Sequence, residues 1–212
     1  MAEHRFCKPK VKGSSPFGGS IENVIMIQKL KNKIGNYSAD HPLAIYRCKQ
    51  IADHIKFIVD YENIHGVKLD RERGDLKHFF WAFTCDSPKK TGYDAVKYCE
   101  KHHRHSRLAR QVIIEANTKS RRKIKGLRHE HVVPLKLIRD LLFSDYRVCQ
   151  GDWQAVSEIL QQNLHSAVIT REEALYIDKT YRTTMPSNWL PGNDPYVRYT
   201  ELGINLLEPA VK

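Results

Sequence analysis

The chain has 212 residues, 41% hydrophobic and 9% aromatic, enough for one domain with a sizeable core plus an appendage and too apolar for a wholly disordered chain. Lys and Arg total 35 against 24 acids, a net charge of +11 and a pI near 9.4, which points to a polyanionic partner, DNA before RNA. A membrane partner is set aside, because neither a long apolar span nor a basic helix faced with exposed Trp, Phe or Leu accompanies the charge.

The opening "MAEHRFCKPKVKGSS" is positive but has no apolar run behind it, unlike a secretory signal, so the expected compartment is the cytoplasm. Residues 8 to 20, with two prolines, three glycines and three serines, predict a basic arm over 1–19. From Ser20 a helical spacing of Ile21, Val24, Ile25 and Gln28 runs until Gly35 interrupts it. A strongly periodic helix follows Pro42, carries Ile45, Cys48, Ile51, Ala52, Ile55, Ile58 and Val59, and stops at Gly66. A shorter one starts at Asp75, with Leu76, Phe79, Phe80 and Phe83 in register and these aromatics, with Trp81, expected in the core. The longest candidate helix covers roughly 94–120, and its "HHRH" (His102, His103, His105) reads as a solvated surface.

After Gly126 the character changes. "LRHEHVV" has β-branched residues and no helical period, Pro134 then suits a first helical turn, and "LKLIRDLLF" follows. Asp152 is placed to cap a helix over "WQAVSEILQQ", "SAVIT" is a second strand, and Thr170 opens another helix. The Pro-, Gly- and aromatic-rich tail predicts irregular structure packed on a core. Cys7, Cys48, Cys85, Cys99 and Cys149 make no CxxC pair and are odd in number, which predicts reduced, mostly buried thiols.

The chemistry-bearing stretch is "LRHEHVVPL", preceded by "KSRRKIKG". A zinc-peptidase HExxH reading fails, since the partner of His129 would be Val133, next to a proline that breaks helices. The alternative takes Glu130 and His131 as an acid beside a histidine at a strand end, followed by Val132, Val133 and Pro134. This resembles the first signature of the ββα-metal, or HNH-like, nucleases, and the later order of Asn163, the "SAVIT" strand and the helix bearing Glu172, Glu173 and Asp178 resembles the rest of their motif. The resemblance covers residues 127–185.

What the resemblance implies is a metal-dependent endonuclease in which His131 is the general base and Glu130 a cation ligand, with Mg2+ or Mn2+ as cofactor and Glu173 as the second ligand. Glu173 has an equal alternative role, since Thr170 and Glu173 also fit a capping box. For Glu130 and His131 to converge, the strand must twist or bulge, because successive residues face opposite ways. His129 is expected behind the site or facing DNA. Lys119, Arg121, Arg122, Lys123, Lys125 and Arg128, six cations in ten residues, are the expected phosphate contacts, with a solvated charged face as their alternative.

The expected fold is therefore α+β: a mostly helical part over 20–126, then a ββα-metal unit with a helical insertion between its strands and an irregular tail over 127–212. Two competing functions are a non-catalytic DNA- or RNA-binding protein and a helical interaction module.

Overall fold

A computed structural model of the chain describes residues 32–91, 96–116 and 124–209. The arm over 1–19, the helical spacing from Ser20 and the cations Lys119, Arg121, Arg122 and Lys123 lie outside the described residues. The described chain is α+β, a helical layer packed beside a small sheet. Among the described residues no helix is long and apolar enough to cross a membrane.

A hairpin of β1 (Lys33–Ile34) and β2 (Tyr37–Ser38) opens the described chain where the sequence showed only an interruption. Its turn needs Gly35: φ is +56°, and a Cβ there would lie 2.5 Å from the carbonyl oxygen of Phe83. Helix α1 (Pro42–His65) follows, with Pro42 in its first turn and Gly66 at φ +68° closing it. Its inward face is Ala44, Cys48, Ile51, Ala52, Ile55 and Ile58, as the periodicity predicts. Helix α2 (Asp70–Cys85) is longer than expected, because Arg73 at its start grips Glu62 with both guanidinium edges and extends order toward α1.

The expected long helix over 94–120 does not form, and this is the main correction to the sequence reading. Arg104–Ser106 is instead strand β3, and only Arg107–Glu115 is helical (α3), started by Ser106, whose hydroxyl accepts from the Ala109 amide at 3.0 Å. "HRHS" has period two as well as helical potential, and its burial in a sheet decides between them. Strand β4 (Leu127–His131) follows, then α4 (Leu135–Ser144), α5 (Tyr146–Cys149) and α6 (Trp153–Asn163), the last capped by Asp152 as predicted. Strand β5 (Ser166–Thr170), α7 (Arg171–Tyr181), α8 (Val197–Glu201) and β6 (Leu206–Leu207) complete the order.

The sheet order is β4-β5-β3-β6. β4 and β5 are antiparallel, Leu127 opposite Thr170 and His131 opposite Ser166, while β3 runs parallel to β5. The third strand thus comes from the segment expected to be wholly helical, so the sheet crosses the 126/127 boundary. The insertion between β4 and β5 joins the main core, where Ile138, Leu142, Val148, Val156 and Leu160 meet Ile51, Ile55, Leu76 and Phe80. Each such side chain removed from water stabilises by roughly 1.5–3 kcal/mol before its ordering costs.

The two faces of the sheet carry different helices. α3 packs through Ala109 and Ile113 on the face of Leu127 and Val168, whereas α7 packs through Ala174 and Ile177 on the face of Ala167 and Ile169. Of the cysteines, Cys48 and Cys85 are buried and Cys99 and Cys149 half-buried, all with free thiols.

Candidate functional site

Strand alternation sorts the "LRHEH" side chains. Leu127, His129 and His131 are buried on one face; Arg128 and Glu130 point to the other and are half-buried. No bulge interrupts the β4–β5 register, which is continuous through all five pairs. Glu130 and His131 therefore do not converge, contrary to the condition their expected roles required.

On the histidine face, directly paired residues form rows: His129, Val168 and His105 across three strands, with His131 and Ser166 in the next. The hydrogen bonds assign protons. His103 donates from Nε2 to the Val96 carbonyl at 2.9 Å, so its Nδ1 accepts from the Ser166 hydroxyl at 2.8 Å. His105 donates from Nδ1 to the His103 carbonyl at 3.0 Å, which leaves Nε2 with no partner. The Thr84 hydroxyl donates to the Phe80 carbonyl, so His131 Nε2 donates to Thr84 Oγ1 at 3.1 Å. His129 has no hydrogen-bond partner on either ring nitrogen and packs against the rings of Trp81 and His103, with centroids at 5.2 and 4.8 Å.

Burial dominates the electrostatics here. Desolvation pushes His103 and His131 down to about 3 and His129 well below the ordinary imidazole value, and it lowers His105 too. Arg198 lowers His131 further, while His103, His131 and Lys97 act in the same sense on His129. The cluster is a set of neutral imidazoles. His103 and His105 are thus buried core groups rather than the solvated surface read from "HHRH", and His129 neither faces solvent nor offers itself to DNA.

Glu130 lies in a charge network on the opposite face. Its Oε2 accepts from Arg128 Nε at 2.9 Å and its Oε1 from Arg198 Nη2 at 3.3 Å; Arg128 also reaches Asp178 at 2.7 Å. Arg198 is fully buried and also donates to the carbonyls of Tyr181, at 3.0 Å, and His131. Burial raises the Glu130 carboxyl above its ordinary value, and the two guanidinium groups pull it back. Asn163 ends α6 with its amide nitrogen bonded to the Ile159 carbonyl and its Oδ1 without a partner.

Glu173 occupies a third location. Strands β3 and β5 end side by side at Ser106 and Thr170, and the helices that follow leave on opposite faces. Glu173 Oε2 accepts from the Thr170 amide at 2.8 Å and the Ser106 hydroxyl at 2.6 Å, while Thr170 caps the Glu173 amide. The capping-box alternative is the arrangement found, extended by Ser106. The carboxylate thereby ties together the starts of two helices.

Glu130, Glu173 and His131, the residues expected to act through Mg2+ or Mn2+, thus sit in three environments with their polar atoms already bonded. Among the described residues no group of three or more His, Cys, Asp or Glu side chains is arranged to hold a metal ion. The donor set as placed does not fit a cation, and no chemical step is derived through one.

The same end of the sheet gathers cations that the sequence reading did not single out. Arg107 and Arg171 are the first residues of α3 and α7, and the Arg171 amide donates to the Gly126 carbonyl at 2.8 Å, which sets Lys125 beside it. All three side chains are exposed and have no carboxylate partner among the described residues. A basic residue directly after a Ser or Thr cap was the legible signal; their adjacency was not. Arg128, in contrast, is occupied by Glu130 and Asp178. No family model, curated protein or solved structure matches this chain.

Proposed function

We propose that this chain binds nucleic acid, DNA before RNA, by its phosphate backbone at the end of the sheet where Lys125, Arg107 and Arg171 leave three adjacent elements. The observation that carries the reading is the convergence of these unpaired cations from distant parts of the sequence. The starts of α3 and α7 add partial positive charge at the same place. The run Lys119 to Lys123 directly precedes Lys125 in the sequence, and a net charge of +11 supplies long-range attraction. A reducing compartment such as the cytoplasm suits the free thiols.

The test is salt dependence. Changing Lys125, Arg107 and Arg171 together to Ala lowers the slope of log K against log salt by roughly 0.9 for each duplex phosphate that is no longer neutralised, with little change in sequence preference. Binding of labelled duplexes between low and moderate salt measures it, and an unchanged slope removes the reading.

Phosphodiester hydrolysis is the second reading. It is favoured by the antiparallel β4–β5 pair with α7 packed on both strands and His131 at the end of β4, the order of the ββα-metal nucleases. Plasmid, linear duplex and RNA incubated with EDTA, Mg2+ or Mn2+ test it directly. Cation-dependent cleavage that disappears in His131→Ala, with binding retained, supports hydrolysis; binding without cleavage leaves the first reading alone.

A further inference from the structure

The outward face of α1 is apolar near its end. Phe57, Ile64 and Val67 are 61%, 75% and 52% exposed, Tyr61 is 38% exposed, and the Phe57 and Tyr61 rings lie 6.2 Å apart. Phe57, Tyr61 and Ile64 follow the i, i+4, i+7 spacing of a single helix stripe. Nothing else on the described surface groups four such residues on consecutive turns of one element. Exposed apolar stripes of this kind mark association surfaces.

The charges around the stripe identify the occupant. Asp53 lies one turn before Phe57, and Lys68 lies just beyond Gly66; both are exposed, and neither has an ion-pair partner among the described residues. If a second α1 lies antiparallel across the first with a two-fold axis between Asp60 and Tyr61, Phe57 falls opposite Ile64 and Asp53 opposite Lys68. Each of these pairings occurs twice, as an isologous contact requires. The Tyr61 hydroxyl then also faces the partner's Asp60, whose carboxylate in the single chain is held by Lys56 at 2.6 Å.

We propose that the occupant of this stripe is a second copy of the chain, packed antiparallel α1 to α1. One helix stripe covers less surface than a standard stable interface, so the dimer is concentration-dependent rather than obligate. The surface is separate from the cation cluster at the sheet end and does not rest on nucleic-acid binding.

Sedimentation of the full chain over a concentration series tests it. Wild type shifts from monomer to dimer, Ile64→Asp and Phe57→Asp stay monomeric with unchanged circular dichroism, and Asp53→Lys weakens association about tenfold by creating two like-charge pairs. The swap Asp53→Lys with Lys68→Asp returns the dissociation constant to within about threefold of wild type, which a non-specific apolar association does not do. A wild-type monomer at about 200 µM overturns the proposal, as does a dimer indifferent to Asp53→Lys or a swap that fails to restore association.

Discussion

Lowering the pH from 7 to about 5 unfolds this chain in a transition that takes up roughly five protons. The groups responsible are His103, His105, His129, His131 and His165, all buried. Burial lowers each of them, His103 and His131 to about 3 and His165 to about 4. A histidine in the unfolded chain titrates near 6.5, so below that pH the unfolded state binds protons that the folded state refuses. Stability is fully present above pH 6.5 and falls as pH drops toward the folded values.

Each such group removes at most about 1.4 kcal/mol per pH unit, five together up to about 7. A domain stable by roughly 5–15 kcal/mol is therefore exhausted within about one to two units below pH 6.5. Circular dichroism against pH, with proton uptake from calorimetry, measures both midpoint and stoichiometry. His129→Phe, at the ring with no hydrogen-bond partner, lowers the uptake by about one; uptake of a single proton by wild type contradicts the assignment.

Arg198→Met costs about 3–5 kcal/mol of stability, the usual penalty for leaving a buried partner charge uncompensated. Its guanidinium is fully buried and serves Glu130 and the carbonyls of Tyr181 and His131, so one substitution frees acceptors on β4, at the end of α7 and in the acid network. Glu130→Gln alone is also destabilising, because Arg198 then stays buried without its counter-charge. The double variant loses less than the sum of the two, by about 1–3 kcal/mol, since the second change removes the group stranded by the first. Denaturant midpoints at constant m-value read this out. Additive losses below about 1 kcal/mol each would mean that the pair is incidental.

This clamp bears on function. A carboxylate held by Arg128 and Arg198 is a structural anion that pins the tail segment of α8 to the edge of the sheet. An activated role for Glu130 in hydrolysis requires that at least one guanidinium move away, and the stability cycle measures what opposes that movement. Nucleic-acid binding at Lys125, Arg107 and Arg171 requires no such rearrangement.

Local signals in the sequence specified much of this molecule. The start of α1 at Pro42 and its stop at Gly66, the Asp152 cap of α6, the short apolar strand β5 and the Thr170–Glu173 capping box all depend on residues within one or two turns of each other. Burial by distant elements settled the remainder. "HRHS" became a strand because β5 and β6 pair with it on both sides, which no window of residues around His105 contains. Unbroken pairing with β5 sent Glu130 and His131 to opposite faces, although their neighbouring positions suggested one site. Arg198, 68 residues from Glu130, became its buried partner, and Arg107, Arg171 and Lys125 met at one sheet end through the direction of strand pairing alone. Periodicity and capping report the free energy of a few adjacent residues, whereas which charge meets which across the sheet is decided by registers and faces that exist only once the strands have paired.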